Sequence, residues 1–302
     1  MTGPVEGTVE KNKHSIRLFF TGFIRIRGVM NWSAISFFGF LIGLKILDIT
    51  SILVPFFFFA VSTFFILAFT FAINNYYDID TDKENPRRVH LNIMASGHLS
   101  RQAGRLFNLL FILIPLVLSL FYTRLVFVFC AGLIFWMWAY SAPPLRLKGR
   151  PGLDILWHFL VFFALILWGS YLAGSVSLMS VLVGVSVGFF GCFAQIDNHL
   201  HDYAFDKASG SKTFAVWIGK QQALIALKVS FILYLIFLIP LIVHFSLSST
   251  LSILVLCAGI GLSCIIITRK KNIGTQVLYY IINFFGGAIY LTCLISHLSS
   301  LL

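Results

Sequence analysis

Apolar residues in this chain run in long unbroken stretches. They do not alternate as in a half-buried strand or form the stripe of a surface helix. A helix crosses a hydrocarbon core with about 20 apolar residues. Nine stretches meet that need, at approximately 29–47, 52–73, 105–122, 124–141, 153–173, 176–196, 221–243, 249–268 and 277–297. The links inside the pairs 105–122/124–141 and 153–173/176–196 are very short, so each pair is expected to form an antiparallel hairpin. Ahead of the first stretch, Leu18, Phe19, Phe20, Phe23 and Ile24 mix with Arg17, Arg25 and Arg27, the pattern of a helix lying in the membrane interface. The pattern predicts an all-α membrane protein: an N-terminal cytoplasmic or interfacial segment, 1–28, then a single transmembrane domain, 29–302.

The basic residues orient these spans. With the N-terminus in the cytoplasm, 19 of the 22 Lys and Arg residues fall on inside segments; Lys45 and Arg124 fall outside, and Lys228 lies within the seventh span. That asymmetry predicts the N-terminus in, the C-terminus out and an odd number of spans. The first 28 residues are charged and polar, and no cleavable signal peptide is expected from them.

Composition agrees. The 302 residues are 59% hydrophobic and 11% charged, with mean hydropathy +0.92, whereas a soluble domain carries roughly 25% charged residues. The net charge of +11 follows from the basic inside loops and implies no nucleic-acid partner. Five cysteines (Cys130, Cys192, Cys257, Cys264, Cys293) all lie in apolar runs without metal-ligand spacing, so they read as small packing residues.

The acidic residues change the picture most. Seven of the 11 fall in two short windows, each just after a long apolar run. The first holds Asn74, Asp78 and Asp82, four apart; the second, 124 positions on, holds Asn198, Asp202 and Asp206 at the same spacing. On a helix each set stacks along one face. Carboxylates beside hydrocarbon are costly, and like charges at this spacing repel, so a cation between them is expected. Rows of hard oxygen ligands suit Mg²⁺, which is commonly bound by one or two carboxylates plus a substrate phosphate. Two such ladders facing each other would hold two Mg²⁺ ions on one diphosphate and stabilise it as a leaving group. Lys83, Arg87 and Arg88 follow the first ladder and Lys207 and Lys212 the second, as cations for diphosphate oxygens. The matched spacing also predicts two related halves around a central cavity. His199 and His201 are expected to sit in a solvated loop beside the second ladder.

A third constellation is Tyr140-Ser-Ala-Pro-Pro-Leu-Arg-Leu-Lys148. Pro143-Pro144 ends the fourth span and stiffens the loop. Arg146 and Lys148, two apart, are expected to point one way from an extended segment, with Tyr140 at the helix end.

Taken together, Asn74-x3-Asp78-x3-Asp82, Tyr140-Ser-x-Pro-Pro-x-x-x-Lys148 and Asp202-x3-Asp206-x3-Gly210-x-Lys212-Thr213 resemble the UbiA superfamily of intramembrane prenyltransferases, in order, spacing and sidedness across roughly residues 25 to 297. The resemblance implies nine helices around a cavity open to lipid. It implies Mg²⁺-dependent transfer of a prenyl group from a polyprenyl diphosphate, geranyl to geranylgeranyl or longer, to a lipophilic acceptor such as a quinone precursor, ether-lipid, carotenoid or chlorophyll-like molecule. Asn74, Asp78, Asp82, Asn198, Asp202 and Asp206 become metal and diphosphate ligands, and Arg88, Arg146, Lys148, Lys212 and Asn31 become diphosphate contacts. Tyr140 joins the aspartates as a catalytic residue. Asn92-Ile93-Met94-Ala95-Ser96-Gly97 is similar to the family's Asn-Pro-x-x-Ser-Gly, with Ile in place of Pro. The hydroxybenzoate enzymes place Lys where this chain has Pro144, which argues against an aromatic-acid acceptor.

Two other readings compete. A transporter or channel would use the carboxylates as a cation path, but the remaining spans hold too few acids to continue it. A CDP-alcohol phosphotransferase needs an Ala-Arg and a Gly between closely spaced Asp pairs, and that pattern is missing.

Overall fold

The computed structural model describes residues 16–86, 88–244, 287, 291 and 294–301. The expected span 249–268 and most of 277–297 lie outside the described residues, as do Lys11, Lys13, Arg87, Arg269, Lys270, Lys271 and the cysteines beyond Cys192. The described chain is helical, with no strand, and seven of its helices are long and apolar enough to cross a membrane. They are α1 (Ile26–Gly43), α2 (Ile49–Tyr77), α4 (Arg101–Leu120), α5 (Arg124–Ser141), α6 (Leu153–Leu172), α7 (Leu178–His201) and α10 (Lys220–His244). Three short helices lie between them: α3 (Ile79–Lys83), α8 (Tyr203–Ala208) and α9 (Phe214–Ile218). The seven long helices each begin within a few residues of an expected span.

The chain forms two compact units, Met1–Ile35 with Phe56–Leu147 and Ser36–Pro55 with Lys148–Leu302. In the first, α4 buries Gly104, Asn108, Phe111, Pro115 and Ser119, spaced three or four apart. Leu106, Leu109, Leu113, Val117 and Leu120 are exposed on it, as a lipid-facing surface requires. Ser100 caps α4 by accepting the Ala103 amide, and Thr123 caps α5 by accepting the Val126 amide. The three residues between α4 and α5 make the expected hairpin. The helix expected ahead of α1 is present in the described residues, and its last turn, Phe19–Phe23, is π-helical. Phe19 packs on Phe107 with ring centroids 4.8 Å apart, and Phe23 packs on Phe111 at 6.2 Å.

In the second unit, small residues bring backbones together. Ser36, Gly39 and Gly43 on α1 meet Gly169 and Ser170 on α6. A Cβ on Gly39 would lie 2.2 Å from the Ile166 carbonyl oxygen, and one on Gly43 2.3 Å from that of Ser170. Ser36 donates to the Leu165 carbonyl at 2.9 Å and Ser170 to that of Gly39 at 2.8 Å. Water exclusion gives no help between helices in lipid, so close van der Waals contact and such hydrogen bonds hold them. The α6–α7 hairpin is equally tight: a Cβ on Gly191 would sit 2.9 Å from the His158 carbonyl oxygen. This contact fixes the end of α7 that carries Asn198.

Candidate active site

Neither aspartate ladder is one continuous helix, a correction to the single-face reading. Helix α2 runs through Asn74 and ends at Tyr77; Asp78 leaves helical geometry (φ −100, ψ 7), and α3 begins at Ile79. Helix α7 carries Asn198 and ends at His201; Asp202 takes φ −88, ψ 0, and α8 follows. The four-residue bonding survives each break. Asp78 and Asp82 donate their amides to the Asn74 and Asp78 carbonyls, at 3.1 and 2.8 Å; Asp202 and Asp206 do the same to Asn198 and Asp202, at 3.0 and 2.9 Å. The internal repeat is therefore structural at this level. Each middle aspartate heads a short helix without its side chain capping it, which leaves its carboxylate to other partners.

In the first unit, partners for the ladder come from two directions. The Arg146 guanidinium donates to Asp78 Oδ1 at 3.3 Å, and the Asn74 amide donates to Ser141 Oγ at 3.1 Å. The Tyr140-to-Arg146 segment is thus brought onto the first ladder, with half-buried Tyr140 on the last turn of α5. The segment is not extended as expected. Arg146 has φ +36 and donates its amide to the Ala142 carbonyl at 2.7 Å, and Leu147–Gly149 is a 3-10 turn. Closing that turn takes Arg146 and Lys148 out of a common extended strand.

The second direction is the turn before α1. Arg25 is half-buried and lies in the left-handed region, φ +53, a conformation costing a non-glycine residue about 1–3 kcal/mol. Its guanidinium donates to Asn75 Oδ1 at 2.5 Å. Burial lowers its pKa from the ordinary arginine value, and the charges of Asp82 and Asp78 oppose that. Asp82 shifts the opposite way: burial raises its pKa, the hydrogen bond from Asn92 lowers it, and the Asp78 charge raises it again. Arg88 is exposed, and its charge also acts on Asp82. Asn31 is exposed on α1.

In the second unit, Asp206 is buried, Asp202 half-buried, and Asn198 and Lys212 exposed. His199 is not in a solvated loop. It is buried on the last turn of α7, its Nε2 accepting from the Gln195 amide at 2.8 Å and lying 3.5 Å from Asp154 Oδ2. Asp154 is fully buried, and its carboxylate accepts the backbone amides of Ile155 and of Phe214, the first residue of α9. It ties the start of α6 to the segment that follows the second ladder. His201 is exposed and bonds back to Asp197.

Among the described residues, no group of three or more His, Cys, Asp or Glu side chains gathers into a ready-made metal cage. Mg²⁺ does not need one, since it keeps several waters and is commonly held by one or two carboxylates with a substrate phosphate. The hard-oxygen donors of each ladder fit that ion, and Asp82, whose charge is disfavoured by burial, would be relieved by it.

The pattern of the UbiA prenyltransferase family matches residues 33–286. The chain belongs to that family. A UbiA-type chain is a transferase, which answers the transport alternative, and its apolar helices make it an integral multi-pass membrane protein. Its sequence is 27% identical over 155 residues to a digeranylgeranylglyceryl phosphate synthase of Pyrococcus horikoshii; the alignment covers 50% of this chain and 52% of that relative. The fold is similar to that of a UbiA homolog from Archaeoglobus fulgidus bound to GPP and Mg²⁺, with TM-score 0.65, 21% identity, and 93% and 99% of the two chains covered. It is also similar to a structure of a digeranylgeranylglyceryl phosphate synthase, with TM-score 0.73, 17% identity, and 95% and 99% covered.

Within this UbiA-type chain, sequence reasoning assigned Arg25 to membrane topology, noted Asn92 only as the first residue of a family-like motif, and gave no role to Asn75 or Asp154. Asp154 had a legible signal, as a lone acid inside the start of an apolar span. Asn75 had none, and the motif at Asn92 did not give its partners, because contacts across 17 or 50 residues are invisible in a linear pattern.

Proposed function

We propose that this protein transfers a prenyl group from a polyprenyl diphosphate, of geranyl length or longer, to a lipophilic acceptor within the membrane, using two Mg²⁺ ions. The observation that carries this reading is the mixed-charge end of α2. There the Asp78 and Asp82 carboxylates share one polar region with the Arg146 and Arg25 guanidiniums, at the end of a span that is otherwise apolar. Carboxylates alone would suit a cation and guanidiniums alone an anion. Both together suit a metal–diphosphate.

In this reading Asn74, Asp78 and Asp82 hold one ion and Asn198, Asp202 and Asp206 the other. Bound Mg²⁺ supplies charge neutralisation of the departing diphosphate. Arg146, Arg88, Lys148, Lys212 and Asn31 bind diphosphate oxygens, with guanidiniums offering paired donors. The allylic C–O bond breaks, its electron pair leaving with the diphosphate. In this role the Tyr140 ring would stabilise the allylic cation, as the face of an aromatic does. A nucleophilic carbon or oxygen of the acceptor forms the new bond and gives up its proton. The chemistry is assigned to the cytoplasmic face by the Lys and Arg distribution. The likeness to a digeranylgeranylglyceryl phosphate synthase supports an ether-lipid acceptor as the first to test.

The test is binding of radiolabelled geranyl and geranylgeranyl diphosphates to purified protein, with Mg²⁺ and with EDTA. Turnover follows with a panel holding a geranylgeranylglycerol phosphate, quinone precursors and a carotenoid. Mg²⁺-dependent binding with one labelled product is expected; binding indifferent to EDTA would overturn the metal reading.

A further inference from the structure

Two buried asparagines underlie the first ladder. Asn75 and Asn92 are both 0% exposed, and neither belongs to the Asn-x3-Asp-x3-Asp set. The Asn92 side chain bonds through both ends. Its Nδ2 donates to Asp82 Oδ2 at 2.9 Å and to the Asn75 carbonyl at 2.8 Å. Its Oδ1 accepts the amides of Met94 and Ala95, at 3.1 and 3.4 Å. Asn75 is equally engaged: Nδ2 donates to the carbonyls of Gly22 and Phe23, at 2.7 and 3.0 Å, and Oδ1 accepts from Arg25 at 2.5 Å. The chain of contacts runs Arg25–Asn75–Asn92–Asp82.

We infer that Asn92 is a positioning residue for the transfer, locking the rotation of the Asp82 carboxylate, and that Asn75 extends the lock to the Arg25 turn. The inference rests on the reading of Asp82 as a Mg²⁺ ligand. Three physical points carry it. A buried carboxylate with a committed oxygen has few rotamers left, so its ligand geometry is set before the cation arrives. Only a side chain with donor and acceptor at opposite corners satisfies Asp82 and the Met94–Ala95 amides together; aspartate would set a second carboxylate against Asp82, and leucine would leave both orphaned. The Asn75 bonds to Gly22 and Phe23 tie down the turn that places Arg25 in its left-handed conformation beside the two aspartates. Ladder and cation are thus held by one network.

The test is Mg²⁺ titration of labelled geranylgeranyl diphosphate binding to the purified full chain, comparing wild type, Asn92→Ala, Asn92→Ser and Asp82→Asn, with thermal midpoints recorded for each. For Asn92→Ala the Mg²⁺ concentration at half-saturation is expected to rise about tenfold or more, while binding at saturating Mg²⁺ recovers. A variant that only loosened the fold would lower the midpoint and the bound fraction without moving half-saturation, and that result would overturn the inference. If Asn92→Ala does not fold, Asn92→Ser, which keeps a hydroxyl donor, is expected to show a smaller shift of the same sign, and wild-type half-saturation in it would overturn the proposal. Asp82→Asn separates the two layers. Unchanged Mg²⁺ dependence in it overturns the metal reading itself. Lost dependence in it, with a wild-type Asn92→Ala, overturns the positioning role alone.

Discussion

Arg146 and Asp78 meet at 3.3 Å, joining the first aspartate ladder to the turn behind Pro143-Pro144, 68 residues further along the chain. The pair is partly exposed, and such pairs contribute about 0–1 kcal/mol to stability. Its value lies in placing a fork of donors beside a carboxylate. Arg146→Ala is expected to weaken prenyl diphosphate binding about ten- to a hundredfold, as loss of a charged hydrogen bond to substrate does, with little change in thermal midpoint. Arg146→Lys is expected to recover only part, since an ammonium lacks the paired geometry. Equilibrium binding of labelled diphosphate measures both.

Asp82 supports a prediction on pH and stability. Its folded-state pKa lies above the unfolded value, chiefly because it is buried. A carboxyl shifted upward stabilises the fold most when protonated, and that contribution is lost as pH rises through the folded value. Without a cation, ionising the group as pH rises therefore works against folding. Asp82→Asn is expected to raise the thermal midpoint at pH 7 without Mg²⁺ and to narrow its advantage at pH 4. Added Mg²⁺ is expected to stabilise the wild type more than the variant. A lower midpoint for the variant at pH 7 would contradict this account.

The α1–α6 contact makes a packing prediction. Gly39→Leu has to displace the Ile166 backbone, and overpacking of this kind costs about 1–3 kcal/mol, occasionally more. The variant is expected to lose monodispersity in detergent at a lower temperature than wild type. Gly132→Leu is the control, because a side chain at Gly132 meets nothing within 4 Å and faces outward. Fluorescence-detected size exclusion after heating reads the difference.

Asp154→Ala removes the carboxylate that accepts the Ile155 and Phe214 amides and faces His199. Orphaned buried groups cost about 1–3 kcal/mol each. The thermal midpoint is expected to fall, and the 203–218 region to become cleavable by protease, whereas Asp154→Asn, which keeps an acceptor, is expected to resist cleavage.

Part of this molecule was legible in the order of its residues. The described spans stand within a few residues of their expected places, because a bilayer asks only for length and apolarity, and both are local properties. The two ladders were legible for a related reason. A carboxylate is rare in so apolar a chain, and an Asn-x3-Asp-x3-Asp spacing repeated 124 residues later has little other use.

What the tertiary structure decided is the company each ladder residue keeps. It broke both ladders at the middle aspartate, where the helix stops but the backbone bonding continues. It turned Arg146 back onto Asp78. It buried His199 against Asp154 and Gln195 in place of the expected loop, and it set Asn75 and Asn92 beneath Asp82 and Arg25. None of this has a period or a spacing. A hydrogen bond between residues 10, 17 or 50 apart in sequence depends on where two helices and a turn come to rest, and packing sets that. Sequence by itself determined the membrane, the family and the ions' ligands to test; three-dimensional packing decided which neutral side chains hold those ligands still, because orientation is a property of contacts and not of composition.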